Sequence, residues 1–173
     1  MVRSITLLRT EMMKTKDLVK AIKAMNATLS RDNQQCMFVT LMICVLDVSN
    51  NQLQYVNGGH NRPLFGNFNN GFQYVKQPEG ILVGIRPRVN YEVATRYMEP
   101  GDVFILYTDG VTEANNSAQE EFTDARLLDF INQQEEQTAS NLVANIRDAV
   151  YDFAAGAEQS DDVTLLVLRY LGD

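Results

Sequence analysis

The apolar run Phe104-Ile105-Leu106-Tyr107 stops abruptly on Thr108-Asp109-Gly110 and continues as Val111-Thr112-Glu113-Ala114. Near the C-terminus the order is reversed. There Ser160-Asp161-Asp162 precedes the apolar run Val163-Thr164-Leu165-Leu166-Val167-Leu168. One acid closes a strand-like segment and the other opens one. If the two segments pair side by side and antiparallel, Asp109 and Asp161 come to the same edge of a sheet. Carboxylates gathered at a sheet edge need neutralising, and a hard divalent cation is the usual answer.

The bulk numbers narrow the setting. A chain of 173 residues with 45% hydrophobic content suits one domain with one core. The formal net charge of -7, with a pI of about 4.7, disfavours nucleic acid or an anionic membrane as partner. Cys36 and Cys44 would be too far apart on an extended strand to bond, so both read as free thiols. No signal peptide is visible and no apolar run is long enough to cross a bilayer, so a cytoplasmic location is expected.

Periodicity separates helices from strands. The first thirty residues read as helix, with Leu18, Ile22, Met25 and Leu29 on one face and Ile5, Leu8 and Met12 repeating the spacing before them. That helix starts almost at Met1 with no capping residue ahead of it, as if the chain entered an element already under way. Met37 to Asp47 is apolar in both parities, as is Val163 to Arg169, so both predict strands covered on both faces. Gln52 to Asn57 alternates, Asn69-Asn70-Gly71 is a hairpin signal, and Tyr91 to Tyr97 alternates again before the turn Glu99-Pro100-Gly101-Asp102. In the last third Thr123 is positioned to cap a short helix carrying Leu127, Leu128 and Ile131. Thr138 or Ser140 caps a longer one with Leu142, Ile146, Val150 and Phe153 on one stripe, and Gly156 fits its stop. The class is α+β, with strands between terminal helices and the two-faced strands pointing to stacked sheets.

Each candidate residue has a plain structural alternative. Asp-Gly after a strand is often only a turn, Glu113 fits a surface position, and Asp161 and Asp162 fit a solvated connection. The pairing of Asp109 with Asp161 favours a metal site, because both acids flank apolar strands whose ends can coincide. Aspartate oxygens suit Mg²⁺ or Mn²⁺, ions that polarise a phosphoryl group and activate water. Two aspartates are too few for two ions, so a two-ion site would need further ligands. His60 is the only histidine; with no partner for a triad or a zinc set it reads first as a loop-packing residue and second as a phosphate contact. Arg62, Arg86, Arg88 and Arg96 read as surface residues, and no glycine-rich phosphate loop is present.

Taken in order, Phe38-Val39-Thr40-Leu41, Tyr55-Val56-Asn57-Gly58-Gly59-His60-Asn61, Glu99-Pro100-Gly101-Asp102, Tyr107-Thr108-Asp109-Gly110-Val111-Thr112-Glu113-Ala114 and Gln159-Ser160-Asp161-Asp162-Val163-Thr164-Leu165-Leu166 resemble bacterial serine phosphatases of the stage II sporulation protein E and RsbU type, within the PPM metal-dependent superfamily. The resemblance implies an α-β-β-α sandwich of two antiparallel sheets flanked by helices. It implies hydrolysis of phosphoserine or phosphothreonine on a regulatory partner such as a STAS-fold anti-sigma-factor antagonist, with Mn²⁺ or Mg²⁺ at the sheet edge. On it Asp109 and Asp161 match metal-ligand aspartates, Asp162 is the weaker match, and no catalytic residue carries over. The family's earlier acidic segments, of Gly-Asp-Tyr-Tyr-Asp and Asp-Val-Ser-Gly type, have no counterpart here, and Asp17, Asp32 and Asp47 lie in other contexts. Residues 1-173 are therefore expected to be the C-terminal part of a single phosphatase domain, incomplete at its N-terminus, with weak or no activity alone. The alternative is a non-catalytic signalling module of the same fold. Apolar surface left open by missing strands would favour a homodimer.

Overall fold

The computed structural model describes residues 2–31, 33, 35–76, 80–159 and 161–172. Met1, Asp32 and Ser160, which entered the sequence reading, lie outside the described residues. The chain divides into two compact units, residues 1–60 with 77–98 and residues 61–76 with 99–173. Each carries one antiparallel sheet and its own helices, so the expected α+β class with two antiparallel sheets is what the chain forms.

The first unit holds α1 (Val2–Lys14), α2 (Leu18–Ser30), β1 (Leu41–Asp47), β2 (Gln52–Gly58) and β5 (Val93–Tyr97). The single long helix read from the periodicity is two helices. The break falls at residues 15–17, where the Asp17 carboxylate accepts the Lys20 N–H at 3.0 Å and starts a new helix. Leu18, Ile22 and Met25 then pack with Ile43, Val56, Val83 and Tyr91. The strands are ordered β1-β2-β5, with Leu41 opposite Gly58 and Val56 opposite Val93.

The second unit holds β3 (Leu64–Asn67), β4 (Gly71–Tyr74), β6 (Val103–Tyr107), α3 (Asp109–Thr112), α4 (Thr123–Asn132), α5 (Ala139–Ala154) and β7 (Leu165–Arg169), with strand order β4-β3-β6-β7. Asn67 Oδ1 accepts the N–H groups of Asn69 and Asn70 and closes the β3–β4 hairpin, whose Gly71 has φ +80°. Thr138, one of the two expected caps, accepts the Asn141 N–H at 3.2 Å, and α5 ends at Ala155–Gly156, both left-handed. The α5 stripe Leu142, Ile146 and Val150 is buried against Leu64, Ile105, Tyr107, Leu127 and Ile131. Ile105 and Tyr107 come from alternate positions of β6, so one face of that strand meets the helices.

One expectation is corrected. The two-faced apolar strands β1 and β7 were read as covered on both sides, yet each is the outermost strand of its sheet. Val45 is 39% exposed and Leu166 54%. Burial on both faces belongs instead to β6, an inner strand in which only Leu106 falls short of full burial. Both cysteines are free, and among the described residues no helix is long and apolar enough to cross a membrane.

The contrast between α5 and β7 gives a test. Ile146→Ala removes a fully buried side chain and is expected to cost about 2–5 kcal/mol. Leu166→Ala, at a half-open position, is expected to stay within about 0.5 kcal/mol. Urea unfolding of the two variants reads the difference directly.

Candidate metal site

β6 and β7 pair antiparallel, with Val103 opposite Arg169 and Tyr107 opposite Leu165. The residues that follow β6 and those that precede β7 are thereby brought to the same sheet end. The Thr108 N–H donates to the Thr164 carbonyl at 3.1 Å, one step past the last paired residues. The Thr108 hydroxyl then donates to the Asp162 carbonyl at 2.8 Å and accepts the Thr164 N–H at 2.9 Å. Beyond this staple the chain turns into α3, and Gly110 lies directly against the 161–162 backbone. A Cβ on Gly110 would fall 2.6 Å from the Asp162 carbonyl oxygen and 3.2 Å from that of Asp161.

Asp109 and Asp161 thus flank one shared contact, and both are exposed. The Asp109 carboxylate accepts its neighbour's amide, Gly110 N–H, at 3.1 Å, and the Asp161 carboxylate accepts the Asp162 N–H at 2.6 Å. The Gln159 side-chain amide donates to the Asp161 carbonyl at 2.6 Å and holds the approach to β7. Asp162 is drawn in through its carbonyl oxygen, the atom that meets Thr108 and Gly110. Glu113 is exposed and its backbone N–H closes α3 on the Asp109 carbonyl at 2.8 Å.

His60 belongs to the first unit. Its N–H donates to the Asn57 side chain at 2.7 Å, and the Asn57 amide donates back to the His60 carbonyl at 2.9 Å. Asn57 is fully buried, so its side chain closes the Gly58–Gly59 turn as a piece of framework. Sequence reasoning did not single out Thr108, whose role depends on a partner more than fifty residues away. A threonine directly before Asp-Gly and another closing Asp-Asp-Val-Thr were its only signals.

Beneath the site, Tyr107 donates its hydroxyl to the Asp124 carboxylate at 2.7 Å, and Tyr74 donates to the Asp124 carbonyl at 2.8 Å. Burial, reinforced by the neighbouring Asp124 charge, pushes the Tyr74 phenol up to about 12. Burial and the contacts with Tyr74 and Asp124 push Tyr107 further in the same direction. In the first unit burial alone raises Tyr91 to about 12.

The donor set, the carboxylates of Asp109 and Asp161, is of the oxygen type that suits a hard divalent ion. It is partial: among the described residues no three His, Cys, Asp or Glu side chains group closely enough to hold a metal ion.

The fold, two antiparallel sheets each with its own helices, is similar to that of solved PP2C phosphatase domains. The profile of the family Stage II sporulation protein E (SpoIIE) matches residues 1–171, and the chain belongs to that family. It is 28% identical over 159 residues to Protein IcfG of Synechocystis sp., covering 90% of this chain and 25% of that protein. It is 26% identical over 154 residues to Phosphoserine phosphatase RsbU of Bacillus subtilis, covering 87% of this chain and 44% of the relative. The chain thus spans less than half the length of either. The solved structure of the PP2C phosphatase domain with a fragment of the regulatory domain of SpoIIE from Bacillus subtilis superposes with a TM-score of 0.81 at 20% identity, over 96% of this chain and 49% of that one. RsbX in complex with magnesium superposes with a TM-score of 0.62 at 16% identity, over 95% of this chain and 71% of that one.

Two outcomes test the site's construction. Gly110→Ala must push the α3 turn off the 161–162 backbone and is expected to cost about 1–3 kcal/mol in urea unfolding. The raised phenols set the alkaline limit. Unfolded tyrosines release their protons near 10 while Tyr74 and Tyr91 hold theirs to about 12, so between these values the unfolded state binds fewer protons. The urea midpoint is therefore expected to be insensitive to these groups below pH 10 and to fall as pH rises toward 12. Ultraviolet titration of tyrosinate should show the same late ionisation.

Proposed function

We propose that this chain is part of a metal-dependent protein phosphatase that hydrolyses phosphoserine or phosphothreonine on a regulatory partner, with Asp109 and Asp161 among the ligands of Mn²⁺ or Mg²⁺. The observation that carries the reading is the convergence of these two exposed acids on the Thr108–Gly110 contact with residues 161–164. Membership of the SpoIIE family, the description of RsbU as a phosphoserine phosphatase and the magnesium complex of RsbX support it. A bound ion of this kind supplies Lewis-acid polarisation of a phosphoryl oxygen and activation of a water. The chain's own contribution is positional. Thr108 and Gly110 fix the spacing of the two acids through main-chain contact, and the buried Tyr107 anchors the strand end to Asp124.

The partner we favour is a phosphorylated STAS-type protein in a cytoplasmic sigma-factor signalling path, and residues 1–173 serve as the C-terminal part of a single phosphatase domain. A two-ion site needs more carboxylates than the described residues bring together, so these 173 residues alone are expected to bind Mn²⁺ weakly and turn over slowly. The same shortfall favours a second reading, a non-catalytic module that binds a phosphoprotein or dimerises.

The test compares Mn²⁺-dependent hydrolysis of a phosphoserine peptide by residues 1–173 and by the product of the complete reading frame. Metal contributions of several kcal/mol to the transition state make Asp109→Asn or Asp161→Asn in the complete product cost at least about a hundredfold in kcat. Full activity in both variants would remove the site assignment. An inert complete product that still binds phosphoprotein would establish the second reading.

A further inference from the structure

The charge of -7 is an average over two unlike halves. The first unit carries ten lysines and arginines against six aspartates and glutamates, and the second five against sixteen. The whole-chain figure therefore conceals a unit of net positive charge.

Three of these ten cations, Lys23, Arg86 and Arg88, come together at one place. Asn26 on α2 is 1% exposed. Its side-chain amide donates to the Arg86 carbonyl at 2.7 Å, and its oxygen accepts the Gly84 N–H at 2.8 Å. The Asn33 amide donates to the Gly84 carbonyl at 2.9 Å. The backbone of the 84–86 segment is thus tied down from within. Arg86 and Arg88 are exposed beside Lys23, which lies one helical turn before Asn26. Two hollows flank this segment. One of about 520 Å³ is lined by Lys23, Asn26, Pro87, Arg88, Val89 and Asn90. The other, of about 320 Å³, shares Arg88, Val89 and Asn90 and adds Arg86, Ile81 and Gly80. Among the described residues none of the three cations forms an ion pair.

We propose that these hollows form a docking site for an acidic segment of the phosphoprotein partner, bound through Lys23, Arg86 and Arg88 of the first unit, whereas Asp109 and Asp161 belong to the second. The proposal rests on the phosphatase reading for its choice of partner. Charge complementarity carries it: three cations with no ion pair among the described residues stand around concave, partly apolar walls. A nucleic acid would call for a longer track of phosphate contacts, commonly about 6–10. A membrane surface would call for about 4–8 cations on a face that can lie flat. An extended acidic peptide needs neither, and Pro87, Val89 and Ile81 give its side chains apolar contact.

The probe is a fluorescent phosphoserine peptide flanked by glutamates, titrated into the 173-residue chain in EDTA so that no divalent ion takes part. Binding is expected, with the double variant Arg86→Glu/Arg88→Glu weakening it by at least about tenfold and Lys23→Ala weakening it less. Thermal melts should be unchanged, because all three side chains are exposed. Equal binding by the wild type and the double variant would overturn the proposal, as would equal binding of a peptide flanked by lysines. Tighter binding of a DNA oligonucleotide or of phosphatidylserine vesicles than of the peptide would also overturn it. The readout is independent of turnover: Asp109→Asn should leave binding intact. A complete reading-frame product that binds the peptide through Arg86 and Arg88 yet hydrolyses nothing with Mn²⁺ present would sink the phosphatase reading and keep this one.

Discussion

The side chain of Thr108 continues a strand ladder where the backbone cannot. β6 must leave the sheet after Tyr107 to turn into α3, so its main chain has no further rung to offer β7 beyond Thr108 itself. The hydroxyl fills the gap by donating to Asp162 and accepting from Thr164. A hydroxyl suits this position because it is both donor and acceptor. Gly110 then lets the turning chain lie against the 161–162 backbone with no side chain between. The two acids are neighbours because of these main-chain contacts, and neither carboxylate is needed to hold the other in place.

Much of this was written locally in the sequence. The Asn-Gly hairpin, the Thr138 cap and the stop at Gly156 are short-range signals that need only a few adjacent residues. The antiparallel pairing behind the two acids was legible because each closes an apolar strand from the opposite direction. The break at residues 15–17 was harder, since neither glycine nor proline marks it and only the capping side chain of Asp17 separates α1 from α2. The reading of β1 and β7 failed for a different reason. Apolar content in both parities describes a strand, whereas its place at the middle or margin of a sheet is decided by which distant strands pair with it. Thr108 escaped notice on the same ground, because its partners lie more than fifty residues away.

The electrostatic organisation was hidden by averaging. Net charge sums over the chain, and a sum cannot reveal that cations gather in one compact unit and carboxylates in the other. Only the division into units makes the contrast visible. The acidic half suits a cation site, because clustered carboxylates lower the cost of bringing a divalent ion out of water. The basic half would suit the acidic partner segment proposed above. A single acidic or basic surface would serve one of these tasks at the expense of the other.

The marginal position of β7 has a consequence for assembly. Its inner side is paired with β6, while its outer N–H and C=O groups have no strand beside them among the described residues. A row of such groups, with Leu166 open next to it and Arg169 its one charged residue, is the kind of edge on which another polypeptide can lay an extended segment. Because β7 also begins beside Asp161, any strand joined there would start within reach of the acids. Assembly along this edge and chemistry at its end would then share a single stretch of backbone.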